Sequence, residues 1–312
     1  MAAIDPLSVS PRLPLLQRRA VRAALCAVAG MGVIGVVDNV MPEVFAHIGL
    51  AQFHFVRSAM ALALLPVVLW WSGLSMRPVN PWGVLGRSVF LSLGMGIYFA
   101  CIGFIPVAEG LAGVFTAPLF IMLLNWAEGR RMAWGTVALI LFGFCGCLAL
   151  VQPDPTQLGW LAIGPIAAGF FYGLGGKVTQ SWTGQENTWT LVGYYLALIG
   201  GTGGVALLFL DPAAESYVHR GWAPMPLHVM ALCFAQALSA LLAVGLLTRA
   251  YQLAAPAFVG AFEYTVLIVA AGTGYAVWGH VLEPLGILGI AMILISGAAL
   301  AVRGDDGAGG AT

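Results

Sequence analysis

The stretch AAPAFVGAFEYTVLIVAAGTGYAVW, residues 254–278, holds one charged side chain, Glu263, in twenty-five residues. As a helix it would be about 37 Å long at 1.5 Å per residue, more than the roughly 30 Å of a bilayer's hydrocarbon core. The same reading recurs along the chain. Apolar stretches run at about 20–40, 51–71, 88–107, 110–126, 133–151, 158–179, 188–210, 227–248, 254–278 and 285–302. Breaker clusters separate them, among them Arg77-Pro78-Val79-Asn80-Pro81, Gln152-Pro153-Asp154-Pro155 and Asp211-Pro212. Lipid cannot satisfy a strand edge, and no alternating barrel pattern is present, so each stretch is expected to be a helix. The expected fold is an all-α membrane protein of ten transmembrane helices.

Composition agrees with that reading. Of 312 residues 60% are hydrophobic and 8% charged, against about 25% charged in a soluble domain. Thirteen basic and thirteen acidic residues leave no basic footprint for nucleic acid. The five cysteines lie inside apolar runs, without metal-ligand or disulfide spacing. The first apolar stretch follows four arginines but is too long for a signal peptide core, and reads as a retained helix.

The basic residues give an orientation. With the N-terminus inside, Arg12, Arg18, Arg19, Arg22, Arg77, Arg87, Arg130, Arg131, Lys177, Arg249 and Arg303 fall on the cytoplasmic side. Arg220 alone falls opposite, and Arg57 lies within a helix. The positive-inside rule then places both termini in the cytoplasm.

Ten helices divide into two fives, and an odd number per unit forces the second unit to enter from the opposite side. Ala112-Gly113-Val114-Phe115-Thr116 in the fourth helix parallels Val259-Gly260-Ala261-Phe262-Glu263 in the ninth. Each is followed by a small-residue helix, Gly143–Gly146–Ala149 and Gly289–Ser296–Ala299. Chance recurrence in apolar sequence is the competing explanation, since small residues chiefly permit close packing. The organisation expected is a cytoplasmic segment 1–19, a first five-helix repeat 20–151, a second 158–303 and a flexible cytoplasmic tail 304–312. Inverted repeats are a recurring plan of secondary transporters, with substrate held between the halves.

Three runs resemble the EamA family of the drug/metabolite transporter superfamily. Gln52-Phe53-His54-Phe55-Val56-Arg57-Ser58 is similar to its second-helix arginine motif. Phe115-Thr116-Ala117-Pro118-Leu119-Phe120 is similar to its fourth-helix proline segment. Ala261-Phe262-Glu263-Tyr264-Thr265, with Gly274 to Gly279 and Gly286–Gly289, resembles the end of its second repeat. The resemblance covers about 20–303 and implies two inverted five-helix repeats that move small metabolites across a bacterial inner membrane. Members often carry a glutamate after glycine at the ends of the fourth and ninth helices. Here Glu128 follows Ala127, and His280 takes the second place.

The candidate substrate-binding or proton-coupling residues are Arg57, His54, Tyr98, Thr116, Tyr172, Gln236, Glu263 and Tyr264. Arg57 can bind an anionic group or snorkel to the headgroups; His54, three residues earlier, shares its face. Glu263, about 13 Å into its helix, needs a cation or a proton. It can hold a substrate amine, relay a proton, pair with Arg57 or simply hydrogen-bond between helices. The tyrosines and Gln236 suit a cavity wall but equally suit helix packing. Asp38, Asn39 and Lys177 read as interface residues that cap or snorkel. Most tryptophans, Trp160 among them, read as an interfacial belt.

The function expected is secondary transport of a small metabolite by alternating access: an amino acid or related compound, with export preferred. Uptake of a vitamin or nucleoside derivative is the alternative. From another class, a membrane enzyme acting on a lipid or isoprenoid lacks its motifs: no Gly-x-Ser-x-Gly elbow or His-Glu-x-x-His helix occurs. No cofactor or metal is expected. The expected partners are the small-molecule substrate and the lipid bilayer, without nucleic acid; helix packing would permit a homodimer.

Overall fold

The computed structural model describes residues 15–105, 107–130, 132–152, 163–278 and 283–303. Residues 1–14 of the expected segment 1–19, Pro106, Arg131, Trp160, His280 and the tail 304–312 lie outside the described residues. Everything regular among the described residues is helical. In chain order the helices are α1 (Leu15–Val37), α2 (Met41–His47), α3 (Leu50–Ser72), α4 (Pro81–Cys101) and α5 (Val107–Val114). There follow α6 (Ala117–Ala127), α7 (Trp134–Val151), α8 (Ile163–Ser181) and α9 (Thr188–Ala206). The last four are α10 (Leu227–Leu253), α11 (Pro256–Glu263), α12 (Thr265–Trp278) and α13 (Pro284–Arg303).

Eight helical stretches are long and apolar enough to cross a membrane. α8 and α9, the expected sixth and seventh spans, are 19 residues each but fall below that apolarity because glycine, threonine and Lys177 dilute them. Large apolar side chains cover the outside: Trp71 is 87% exposed and Ile295 57%. In water such a surface would be an aggregation liability, whereas lipid accepts it.

Three spans are interrupted, which sequence reading did not anticipate. The first runs from α1 through a 3₁₀ turn, Asp38–Val40, into α2 and so reaches His47 rather than stopping near residue 40. The fourth breaks between α5 and α6, the ninth between α11 and α12. Both breaks use one device, a threonine hydroxyl donating to the carbonyl three residues back: Thr116 to Gly113 at 2.6 Å and Thr265 to Phe262 at 2.8 Å. Such side-chain bonds compete with the helical ladder. They also register the two segments as Thr116 with Thr265, two residues away from the Thr116–Glu263 pairing suggested by sequence.

The third span begins earlier than expected, at Pro81 rather than near 88. The Asn80 side chain accepts from the Gly83 N–H and Pro81 occupies the first turn, so the apparent breaker cluster is a helix start. Tyr98 is consequently seventeen residues into α4, not ten.

The main packing partners are α3 with α9, α7 with α13, α4 with α8 and α1 with α10. Glycines allow the closest crossing. A Cβ on Gly289 would lie 2.5 Å from the Gly146 carbonyl oxygen, and one on Gly146 would lie 2.8 Å from that of Gly289. Ser296 locks the same crossing by donating to the Leu139 carbonyl at 2.7 Å. Gly169 packs on the α5–α6 break and Gly200 on Ser58, so these glycine clusters are packing faces.

Candidate functional site

A cavity lies between the helices. α3 and α4 run in opposite directions and each carries one buried arginine into its wall. Arg57 is seven residues from the start of α3 and Arg87 six from the start of α4, so each lies about 10 Å in from opposite ends of the bundle.

At the first end the Arg57 guanidinium carbon stands 4.9 Å from the centroid of the Phe53 ring and 5.5 Å from that of Phe99. Cation–π contact holds the charge there without neutralising it. Asp38, Gln236 and Tyr98 share this end of the cavity. The Gln236 amide donates to Asp38 Oδ1 and to the Val37 carbonyl, both at 3.2 Å. The 3₁₀ turn therefore places a carboxylate inside the bundle. Sequence reading put Asp38 at an interface because it ended the first span too soon.

At the other end Arg87 is 2% exposed. Its Nε donates to Thr179 Oγ1 at 2.9 Å, Nη1 to the Leu191 carbonyl at 2.9 Å and Nη2 to Thr248 Oγ1 at 2.7 Å. It thus ties α4 to α8, α9 and α10, with no carboxylate beside it among the described residues. The sequence reading began this span near residue 88 and so left Arg87 outside it; α4 starts at Pro81 and turns this residue inward. Between the ends, Tyr172 Oη donates to Glu263 Oε1 at 2.8 Å, and Tyr251 and Tyr195 complete the wall. Glu263 is 1% exposed, and its described partner is a tyrosine rather than Arg57.

Of the eight candidates, Arg57, Tyr98, Tyr172, Gln236 and Glu263 line the cavity. The other three lie elsewhere. His54 packs its ring against Phe53 and Phe99 at 5.3 and 5.4 Å. Thr116 is spent on the α5–α6 break. Tyr264 is buried against Phe115, with its hydroxyl 3.5 Å from that residue's carbonyl oxygen. The structure adds Asp38, Arg87, Tyr195 and Tyr251. An aspartate and an arginine in otherwise apolar runs were the available signal, hidden by the misplaced helix ends. Lys177 does not reach the cavity: it meets Glu128 and Asn125, each at 2.8 Å.

Both mouths are tied by polar contacts. Near Arg87, the Glu186 carboxylate accepts from the backbone N–H groups of Val79 and Asn80 at 3.0 and 2.5 Å. Gln252 accepts from Thr188 at 2.8 Å and donates to the Glu186 carbonyl at 2.7 Å. Near Arg57, the loop after α9 docks through Gln52, which exchanges two hydrogen bonds with Ala223 at 2.8 and 2.9 Å. Tyr217 of that loop donates towards the carbonyls of Phe99 and Ala100, at 2.9 and 2.6 Å, and accepts from the Gly103 N–H at 3.0 Å. Burial pushes its phenol up to about 12. On the outer surface nearby, His228 of α10 meets Glu43 of α2 at 3.2 Å, with His47 adjacent.

Residues 19–152 match the family model described as the EamA-like transporter family. A riboflavin transporter of Rhizobium johnstonii is 30% identical over 234 residues, 74% of this chain and 73% of that protein. The chain belongs to the EamA-like transporter family. A second riboflavin transporter, from Vibrio cholerae, is 24% identical over 212 residues, 67% of each chain. A solved crystal structure with 15% identity superposes with a TM-score of 0.73 over 92% of this chain and 98% of its own, which fixes the likeness of fold. This EamA protein is thus a multi-pass membrane transporter, and the matches point away from an enzyme.

Proposed function

We propose that this EamA protein takes up riboflavin, or a closely similar aromatic vitamin, across the bacterial inner membrane. The observation that carries the reading is the cavity: aromatic and aliphatic walls, with isolated polar groups at both ends, in a chain 30% identical to a riboflavin transporter. Flat aromatic solutes gain from ring-lined walls, and a few convergent polar groups orient them. Riboflavin uptake belongs to the vitamin alternative and takes precedence over amino-acid export, which rested on arginine, glutamate and aromatic groups in the cavity and, for its direction, on the family resemblance.

The mechanism we propose is alternating access between inverted repeats, spans one to five against six to ten, with both termini cytoplasmic. Exchanging the two halves carries the α3–α9 and α7–α13 pairings onto themselves and interconverts α4–α8 with α1–α10. The two threonine breaks supply the same correspondence. The packing is unequal, however: α10 packs on α8 and α9, whereas no comparable packing of α4 on α1 and α3 occurs among the described residues. That inequality supports reading the structure as one of two related states, closed at the Arg87 end. Binding favours whichever state makes the better contacts, and transport needs both.

The test is flux into proteoliposomes of riboflavin, amino acids and nucleosides, with and without a pH gradient. Saturable riboflavin uptake is expected. Amino-acid flux with no riboflavin flux would restore the export reading instead.

A further inference from the structure

Unpartnered polar groups of Arg57 and Tyr98 meet at one end of the cavity. Arg57 is 5% exposed, and its Nε and Nη2 have no hydrogen-bond partner; Tyr98, 2% exposed, likewise has an unpartnered hydroxyl. Asp38 lies at the same end, with one oxygen held by Gln236 and the other given no protein partner among the described residues. Leaving a buried donor unmade costs about 1–3 kcal/mol, and more for a charged one. Native proteins keep few of them, and those they keep call for a reason. Here the phenyl rings of Phe53 and Phe99 fix the guanidinium in place without using its N–H groups.

This corner offers two donors, Arg57 and Tyr98, and one acceptor, the free Asp38 oxygen. Its complement is an edge with two acceptors and one donor. The carbonyl–N–H–carbonyl of a cyclic imide has that pattern, and the pyrimidinedione ring of a flavin carries it. A carboxylate would satisfy Arg57 but would face Asp38 with like charge.

We infer that the Arg57–Tyr98–Asp38 corner binds the imide edge of the flavin ring, an inference that rests on the riboflavin reading. Arg57 and Tyr98 donate to the two carbonyl oxygens, and Asp38 accepts from the imide N–H. The rest of the ring runs along the apolar wall, and the ribityl hydroxyls meet Tyr251 and the Glu263–Tyr172 pair.

Fluorescence quenching on addition of the full chain in nanodiscs measures the affinities of riboflavin and 3-methylriboflavin, whose imide nitrogen carries no proton. The unaltered protein is expected to bind the methylated flavin at least about tenfold more weakly, the size of a lost hydrogen bond to a charged group. Asp38→Asn is expected to weaken riboflavin by a similar factor while shrinking the discrimination between the two flavins to less than about threefold. Equal affinity of the unaltered protein for both flavins would overturn the edge assignment and leave riboflavin transport standing. Binding of neither flavin would overturn both. The comparison of ligands needs no variant, so it holds even if Asp38→Asn fails to fold.

Discussion

Each nitrogen of the Arg87 guanidinium donates to a neutral oxygen, and the three oxygens belong to three other helices. Arg87→Met removes three bonds and takes their donor from Thr248 and the Leu191 carbonyl, while Thr179 keeps its bond to the Gly175 carbonyl. At about 1 kcal/mol or more per bond, a loss of roughly 3 kcal/mol is expected in detergent unfolding, even though methionine fills most of the space. Glu263→Gln keeps the shape but removes both charge and proton. Riboflavin flux in proteoliposomes is expected to fall at least about tenfold, the effect of losing one charged hydrogen bond or its proton. Unchanged rate and pH dependence would exclude both roles. Tyr217 gives the pH prediction. A raised phenol pKa means that the neutral form is favoured by folding. Its contribution is complete below the ordinary tyrosine value near 10 and is lost as pH rises through about 12. Melting temperature should therefore fall more steeply between about pH 10 and 12 than in Tyr217→Phe, which lacks the group.

Helix ends decided which residues were legible. The stretch 254–278 was recognisable as a span because its length and apolarity are intrinsic, yet its break at Tyr264 depends on a threonine turning back on its own chain. Reading Pro78 to Pro81 as a breaker hid the start of α4, displaced Tyr98 by seven positions and left Arg87 just outside its span. The 3₁₀ turn at Asp38 looked like a terminus because two polar residues interrupt an apolar run. Small-residue faces were easier: Gly143, Gly146 and Gly289 fall where α7 and α13 cross. Gly289→Val is expected to force these helices apart and lower stability by about 1–3 kcal/mol, read by thermal unfolding, because backbone rather than a flexible side chain blocks the added atoms. The same substitution at Gly272, where nothing lies within 4 Å of an added Cβ, should be tolerated.

Transport requires that the tie at the Arg87 end open. Thr188 and Gln252 face one another there across the loop between α8 and α9 and the end of α10. In a background without the native cysteines, a disulfide between Thr188→Cys and Gln252→Cys is expected to abolish riboflavin flux while preserving riboflavin binding from the opposite side. Reductant should restore flux. Flux that persists through complete cross-linking would show that this mouth does not open.

Membrane residence and family were present in the sequence itself. An apolar run long enough to cross lipid advertises its environment residue by residue, and motifs such as Gln52–Ser58 retain their order without reference to folding. The cavity was not, because membership depends on which way each side chain turns once the helices are packed. Only packing turns Arg87 inward and Tyr264 away, carries Asp38 into the interior and leaves two Arg57 nitrogens without a hydrogen-bond acceptor. A charged residue in an apolar sequence signals cost, but the neighbours that meet it, or fail to, are brought by the tertiary structure.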